Sequence, residues 1–129
     1  MSANYVVDAR NRTVHTTFSG VVTHRDPIQN VLSLRADPEF DASFSELIEF
    51  AEDSEVQLNS NDLSALLELD PFFKASRRAL VVGSGPSVFG AARIFKLLRH
   101  DDRCVKIFGT REEALSWLAS ESPEHTNDL

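Results

Sequence analysis

After two short β-prone runs, the chain alternates strictly between strand-like and helix-like patterns, and that alternation leaves few folds open. Tyr5-Val6-Val7 opens it. Asn11 and Arg12 form a turn, and Thr13 to Ser19 follows. In that second run Val14, Thr16 and Phe18 point one way while Thr13, His15 and Thr17 point the other. Period-two alternation with β-branched residues predicts a strand, so the chain begins with a hairpin that Gly20 ends.

The rest reads as helix and strand in turn. Asp26-Pro27-Ile28-Gln29 predicts a helix start, with Asp26 as cap, Pro27 at the first helical position and Gln29 reaching back. Asp37-Pro38 stops that helix, because a residue before proline disfavours helical dihedrals. Ser45 to Phe50 is a third strand. Asn59 to Leu69 is a helix with Leu63, Leu66 and Leu67 on one face, stopped by Asp70-Pro71. Ala79-Leu80-Val81-Val82 is the continuous apolar run of a strand buried on both faces. Gly83 to Ser87 is a turn, and Val88 to Leu98 is an amphipathic helix. Val105 to Phe108 is the last strand. Thr110-Arg111-Glu112-Glu113 spells a capping box for a final helix through Leu118.

The predicted order is β-β-α-β-α-β-α-β-α. Strict alternation favours right-handed crossovers and a mixed, mostly parallel sheet of about five strands with about four helices. At 129 residues the chain fits one α/β domain, expected over residues 1–118, with a flexible polar tail over 119–129.

Charge and cysteine content narrow the setting. The single cysteine, Cys104, permits no internal disulfide, and the first residues lack the charged and apolar regions of a signal peptide. No apolar stretch approaches the roughly 20 residues of a membrane span. The expectation is a cytoplasmic protein. Net charge is −7, which argues against nucleic-acid and anionic-membrane binding. The charge is uneven: Asp37 to Asp70 holds eleven acids and no Lys or Arg, while Pro71 to Arg111 holds nine bases against Asp101 and Asp102. The recurrence of Arg93, Lys96 and Arg99 marks a solvated helix face.

No constellation spells catalysis. Gly83-Ser84-Gly85-Pro86-Ser87 sits between strand and helix, where backbone N–H groups can hold an anion. Val88 stands where a dinucleotide fingerprint needs its third glycine, and no lysine follows until Lys96. Among His15, His24, His100 and His125 no two lie four residues apart, so no metal is expected. Cys104 lacks an activating base in sequence, and packing is its expected role. Of the acids near the third strand most should be solvated. Glu49 stands out between Ile48 and Phe50, as a specific or salt-bridged carboxylate. Phe72 and Phe73 are core candidates, and Trp117 is expected to seal the sheet.

Four stretches, taken together, resemble a known family. They are Gly20-Val21-Val22-Thr23 leading to Asp26; Asp37-Pro38-Glu39-Phe40; Arg78 to Val82 followed by Val88 to Arg93; and Val105 to Phe108 with Glu113 to Leu118. In that order they resemble the STAS-like family, small bacterial domains related to anti-sigma-factor antagonists. The resemblance implies a compact sheet flanked by helices, no cofactor and no catalysis. It also implies a protein-binding regulatory role, with a serine heading the helix after the third strand. The matching residue is Ser60, preceded by Asn59 where the family pattern has Asp.

The expected function is therefore a non-enzymatic protein-interaction domain with a protein partner, a second copy of itself included. Its binding residues are expected to be Ser60, Ser84, Gly85, Ser87 and Arg93. The alternative is a module binding a small apolar or anionic ligand in a phenylalanine-lined cavity, with Ser84, Ser87 and Arg93 holding the ligand's anionic end.

Overall fold

The computed structural model describes residues 3–83, 85–99 and 104–120. The opening hairpin forms as expected, from β1 (Ala3–Asp8) and β2 (Thr13–Phe18), paired antiparallel. β3 (Val21–Val22) precedes α1 (Arg25–Arg35). Then come β4 (Ser45–Phe50), β5 (Glu55–Val56), α2 (Ser60–Leu69), β6 (Arg78–Val81), α3 (Pro86–Arg99), β7 (Val105–Phe108) and α4 (Arg111–Ala119). The main sheet has the order β1-β2-β4-β6-β7, and every pairing after the hairpin is parallel. The α/β class and the mixed, mostly parallel five-strand sheet with four helices follow the alternation in the sequence.

One feature was not expected. β3 and β5 pair parallel as a separate two-stranded sheet. Each is two residues long, too short for a period-two pattern to register.

The helix ends report how local chemistry sets boundaries. α1 begins earlier than Asp26: its cap is His24, without a side-chain hydrogen bond, and Pro27 is buried within the first turn. Proline is tolerated there because a first-turn N–H has no helical acceptor to lose. α2 carries a full capping box, but its cap is Asn59: the Asp62 N–H donates to Asn59 Oδ1 at 2.8 Å and the Asn59 N–H to Asp62 Oδ2 at 3.0 Å. Asp70, held by Pro71 at ψ 121°, ends that helix as the proline rule requires. At α4 the Glu113 N–H donates to Thr110 Oγ1, while the Glu113 carboxylate accepts from the same hydroxyl. Of the expected tail, α4 includes Ala119 and Ser120 accepts from Arg77; residues 121–129 lie outside the described residues.

The helices divide unequally between the two faces of the sheet. The inner face presents Val14, Thr16, Phe18, Glu46, Ile48, Arg78, Leu80 and Val105, and α1, α2 and α3 lie on that side. α4 covers part of the other face, where Ala114, Trp117 and Leu118 pack on Leu47, Ala79, Val81 and Phe108. Trp117 closes this layer against Phe108, with the Arg77 guanidinium 5.0 Å from its ring. Phe72 is buried and Phe73 is 59% exposed, so only one of the two paired aromatics is core.

The most buried charges sit on the inner face. Arg78 is 5% exposed, and its Nε donates to Glu46 Oε1 at 2.8 Å while its Nη1 donates to Asp70 Oδ2 at 2.8 Å. Thr16 Oγ1 donates to the other Glu46 oxygen at 2.6 Å. Burial alone would lower the Arg78 pKa, but the attraction of Glu46 and Asp70 outweighs it and raises the pKa above the ordinary arginine value. Breaking a buried pair leaves charge without a partner, so Arg78→Ala should cost about 3–5 kcal/mol in urea unfolding. Arg111→Ala, at a mostly exposed position, should leave the unfolding midpoint near that of the parent protein.

Candidate functional site

Two places on the inner side have the geometry of a site. The first is the rim formed where the parallel strands end and α2 and α3 begin. In open α/β sheets this carboxyl end is where ligands and partners meet the fold. Gly83 turns the chain out of β6 with φ +62°, a left-handed conformation that glycine adopts without Cβ strain. The following loop is tied to β5: the Val56 N–H donates to Ser87 Oγ at 3.2 Å. A Cβ on Gly85 would stand 3.9 Å from the Ser54 carbonyl oxygen, so the two loops run in near contact. Asn59 and Ser60 follow β5 after Gln57 and Leu58, and Ser60 is exposed as the first residue of α2.

The structure thus gathers some of the expected site residues and separates others. Gly85 and Ser87 lie on the segment pinned to β5, just ahead of Ser60 in chain terms. Ser84 lies outside the described residues. Arg93 is exposed on α3, with its guanidinium 5.8 Å from the Phe89 ring, itself 46% exposed.

The second place is a cavity of about 90 Å³ between the sheet and α1, α2 and α3. Its walls include Phe18, Ile48, Phe50, Leu63, Leu66 and Phe95, and Glu46, Asp70 and Arg78 also line it. Phe18 and Phe50 stack at 5.1 Å to form part of the wall. Ser87 and Arg93 are not among the lining residues. Apolar cavities of roughly 150 Å³ hold benzene, so this smaller one suits a short aliphatic group and neither a long chain nor a full aromatic ring.

The charged group at the cavity is one that sequence reasoning passed over. Attention fell on Glu49, which is a salt-bridged carboxylate on the opposite face. Its Oε1 lies 2.7 Å from His15 Nε2 and accepts from Arg111 Nε at 2.8 Å, which raises the Arg111 pKa. The buried carboxylate is Glu46. Its signal was present: in a period-two strand Glu46 shares a face with the apolar Ile48 and Phe50, the face turned toward α1, α2 and α3.

Among the described residues no group of three or more His, Cys, Asp or Glu is placed to hold a metal ion. Among them, too, no helix is long and apolar enough to cross a membrane.

No protein-family model matches the chain, and no curated protein matches it. Among solved structures it is similar to an uncharacterised protein of the DUF3478 family with a SpoIIAA-like fold, from Shewanella loihica PV-4. Identity is 24%, the match covers 83% of this chain and 84% of that one, and the TM-score is 0.53. The chain has a SpoIIAA-like fold. This is the STAS fold that the four sequence stretches resemble. Ser60, expected from the sequence to head a helix, is the first residue of α2. Its predecessor Asn59 is the helix cap, so the departure from the family's Asp keeps a side chain that can accept the Asp62 N–H.

Asn59→Ala should remove the Asp62 N–H to Asn59 Oδ1 arm of that cap, keep the backbone arm to the Asp62 carboxylate, and cost about 1 kcal/mol of stability in chemical denaturation. Ser87→Ala should speed hydrogen exchange at the Val56 amide while leaving the amides of β4 unchanged.

Proposed function

We propose that the protein is a non-enzymatic regulatory domain that binds a protein partner through the rim formed by Ser60 and the Gly83–Ser87 loop, with Arg93 at its margin. The observation that carries this reading is the hydrogen bond from the Val56 N–H to Ser87, which draws the β6–α3 loop onto the segment leading to Ser60. An exposed serine at the start of α2 and the exposed Phe89 offer a partner both polar and apolar contacts. Its position at a helix N-terminus also makes it sensitive to charge, since the dipole there favours anions.

Charge reversal at the rim is the direct test. Partners captured by the parent protein should be lost or weakened by Ser60→Lys and by Arg93→Glu, in pull-downs at matched protein levels. Unchanged capture by both variants would sink the rim as the binding surface.

The cavity favours a second reading, a module for a small apolar ligand. An occupant would contact Phe18, Phe50 and Phe95 and lie against the Glu46–Arg78–Asp70 group. This differs from the expected head-group contacts, because Ser87 is engaged with β5 and Arg93 faces outward. Native mass spectrometry on gently purified protein should then show an adduct of low mass above the 14.4 kDa chain. A clean unliganded species, with no binding of small aliphatic probes, would remove this reading.

A further inference from the structure

Among the described residues the main sheet ends at β1 on one side and at β7 on the other, and these two edges are built differently. The β7 edge is four residues long and carries Lys106, exposed on the strand. A short strand with a lysine is a common way of discouraging edge pairing. The β1 edge is six residues long, Ala3–Asp8, and holds no lysine, arginine or proline. Among the described residues, it also borders the half of the outer sheet face that α4 does not cover. α4 packs on β4, β6 and β7, whereas Asn4, Val6 and Asp8 on β1 are exposed, with Val6 65% exposed. On the other side of the same edge a groove runs between β1 and α1, lined from α1 by Asp26, Gln29, Asn30, Leu32 and Ser33. Leu32 in that groove is 49% exposed.

We propose that β1 is a homodimerisation edge, pairing antiparallel with β1 of a second copy across a two-fold axis normal to the sheet. This inference is independent of the rim and of the cavity. It rests on the pattern of β1 itself, which is self-complementary. Such an axis places residues of one face opposite residues of the same face, so only registers that pair like parity are allowed. Centring on Val6 puts Val6 opposite Val6 of the second copy. The same register puts Asn4 opposite Asp8, twice, so an amide donor meets a carboxylate at both ends of the apolar contact. On the inner face it places Tyr5 opposite Val7. Centring on Tyr5 instead would set Asn4 against Val6 and leave both Asp8 carboxylates outside the pairing, and centring on Val7 would set Val6 against Asp8. The Val6 register alone matches apolar with apolar and donor with acceptor. It also brings the Leu32 flank of α1 toward the partner, where Gln29, Asn30 and Ser33 are uncharged and Asp26 is the one carboxylate of the lining. The product is one continuous sheet in place of two exposed edges, and cross-strand pairs of this kind each add stability.

The test is sedimentation equilibrium on the full chain, with the parent protein and two variants. The parent should sediment at twice 14.4 kDa. Val6→Lys should sediment at 14.4 kDa with an unchanged circular dichroism spectrum, because position 6 is exposed and the lysine meets only its own copy. Val6→Cys in a Cys104→Ser background should form an intermolecular disulfide under mild oxidation, since directly opposed residues stand within disulfide reach. A parent protein that remains monomeric overturns the proposal. So does a dimer that survives Val6→Lys and fails to crosslink through position 6, because it would use another surface.

Discussion

Arg78 is the point at which the layers of this protein are tied together. It begins β6 in the middle of the sheet, where its inner-face neighbours are Glu46 on β4 and Val105 on β7. Its guanidinium binds Glu46 within the sheet and Asp70 at the end of α2, and Glu46 in turn receives Thr16 from β2. Phe72 lies 4.3 Å from the guanidinium carbon and Phe95 of α3 lies 5.6 Å from it. One side chain therefore touches the strands, the end of α2 and α3 at once. Its fixed geometry suits that task, since a planar guanidinium can hold two carboxylates and stack on rings together.

A buried ion pair is not a cheap way to hold layers together. Desolvation takes back much of the attraction, and apolar residues of equal volume often stabilise as well or better. What the arrangement supplies is direction. Two carboxylates demand one position for the guanidinium, and that fixes where α2 ends relative to β6. The apolar cavity lies beside this group, between it and the phenylalanines of β2 and β4. The rim above depends on the same placement, because α2 carries Ser60 at its start and Asp70 at its end.

The sheet's two faces have different histories in the chain. The inner face is closed by α1, α2 and α3, the crossover helices that right-handed connections put there. The outer face receives only α4, which the last strand delivers to the β4–β6–β7 half. Among the described residues no helix packs on the hairpin half, and His15, Glu49 and Arg111 are hydrogen-bonded along its boundary. That half adjoins the β1 edge, so the exposed surface of this fold is a consequence of its strand order.

Much of this was legible in the residues themselves. Strand and helix periods, the Asp-Pro stops at Pro38 and Pro71, and the apolar run at Ala79–Val82 specify the element order and the α/β class. These are local signals, because period, capping and proline sterics act over a few residues. Ser60 at a helix start belongs to the same kind. The partners of Glu46, Glu49 and Ser87 do not. Glu46 and Arg78 are separated by 32 residues, and Glu49 and Arg111 by 62. Which carboxylate is buried depends on which face of β4 the helices cover, and where the cavity lies depends on how α1, α2 and α3 meet over the sheet. Strand order and helix placement arise only when the whole chain packs, and it was the tertiary structure that decided them.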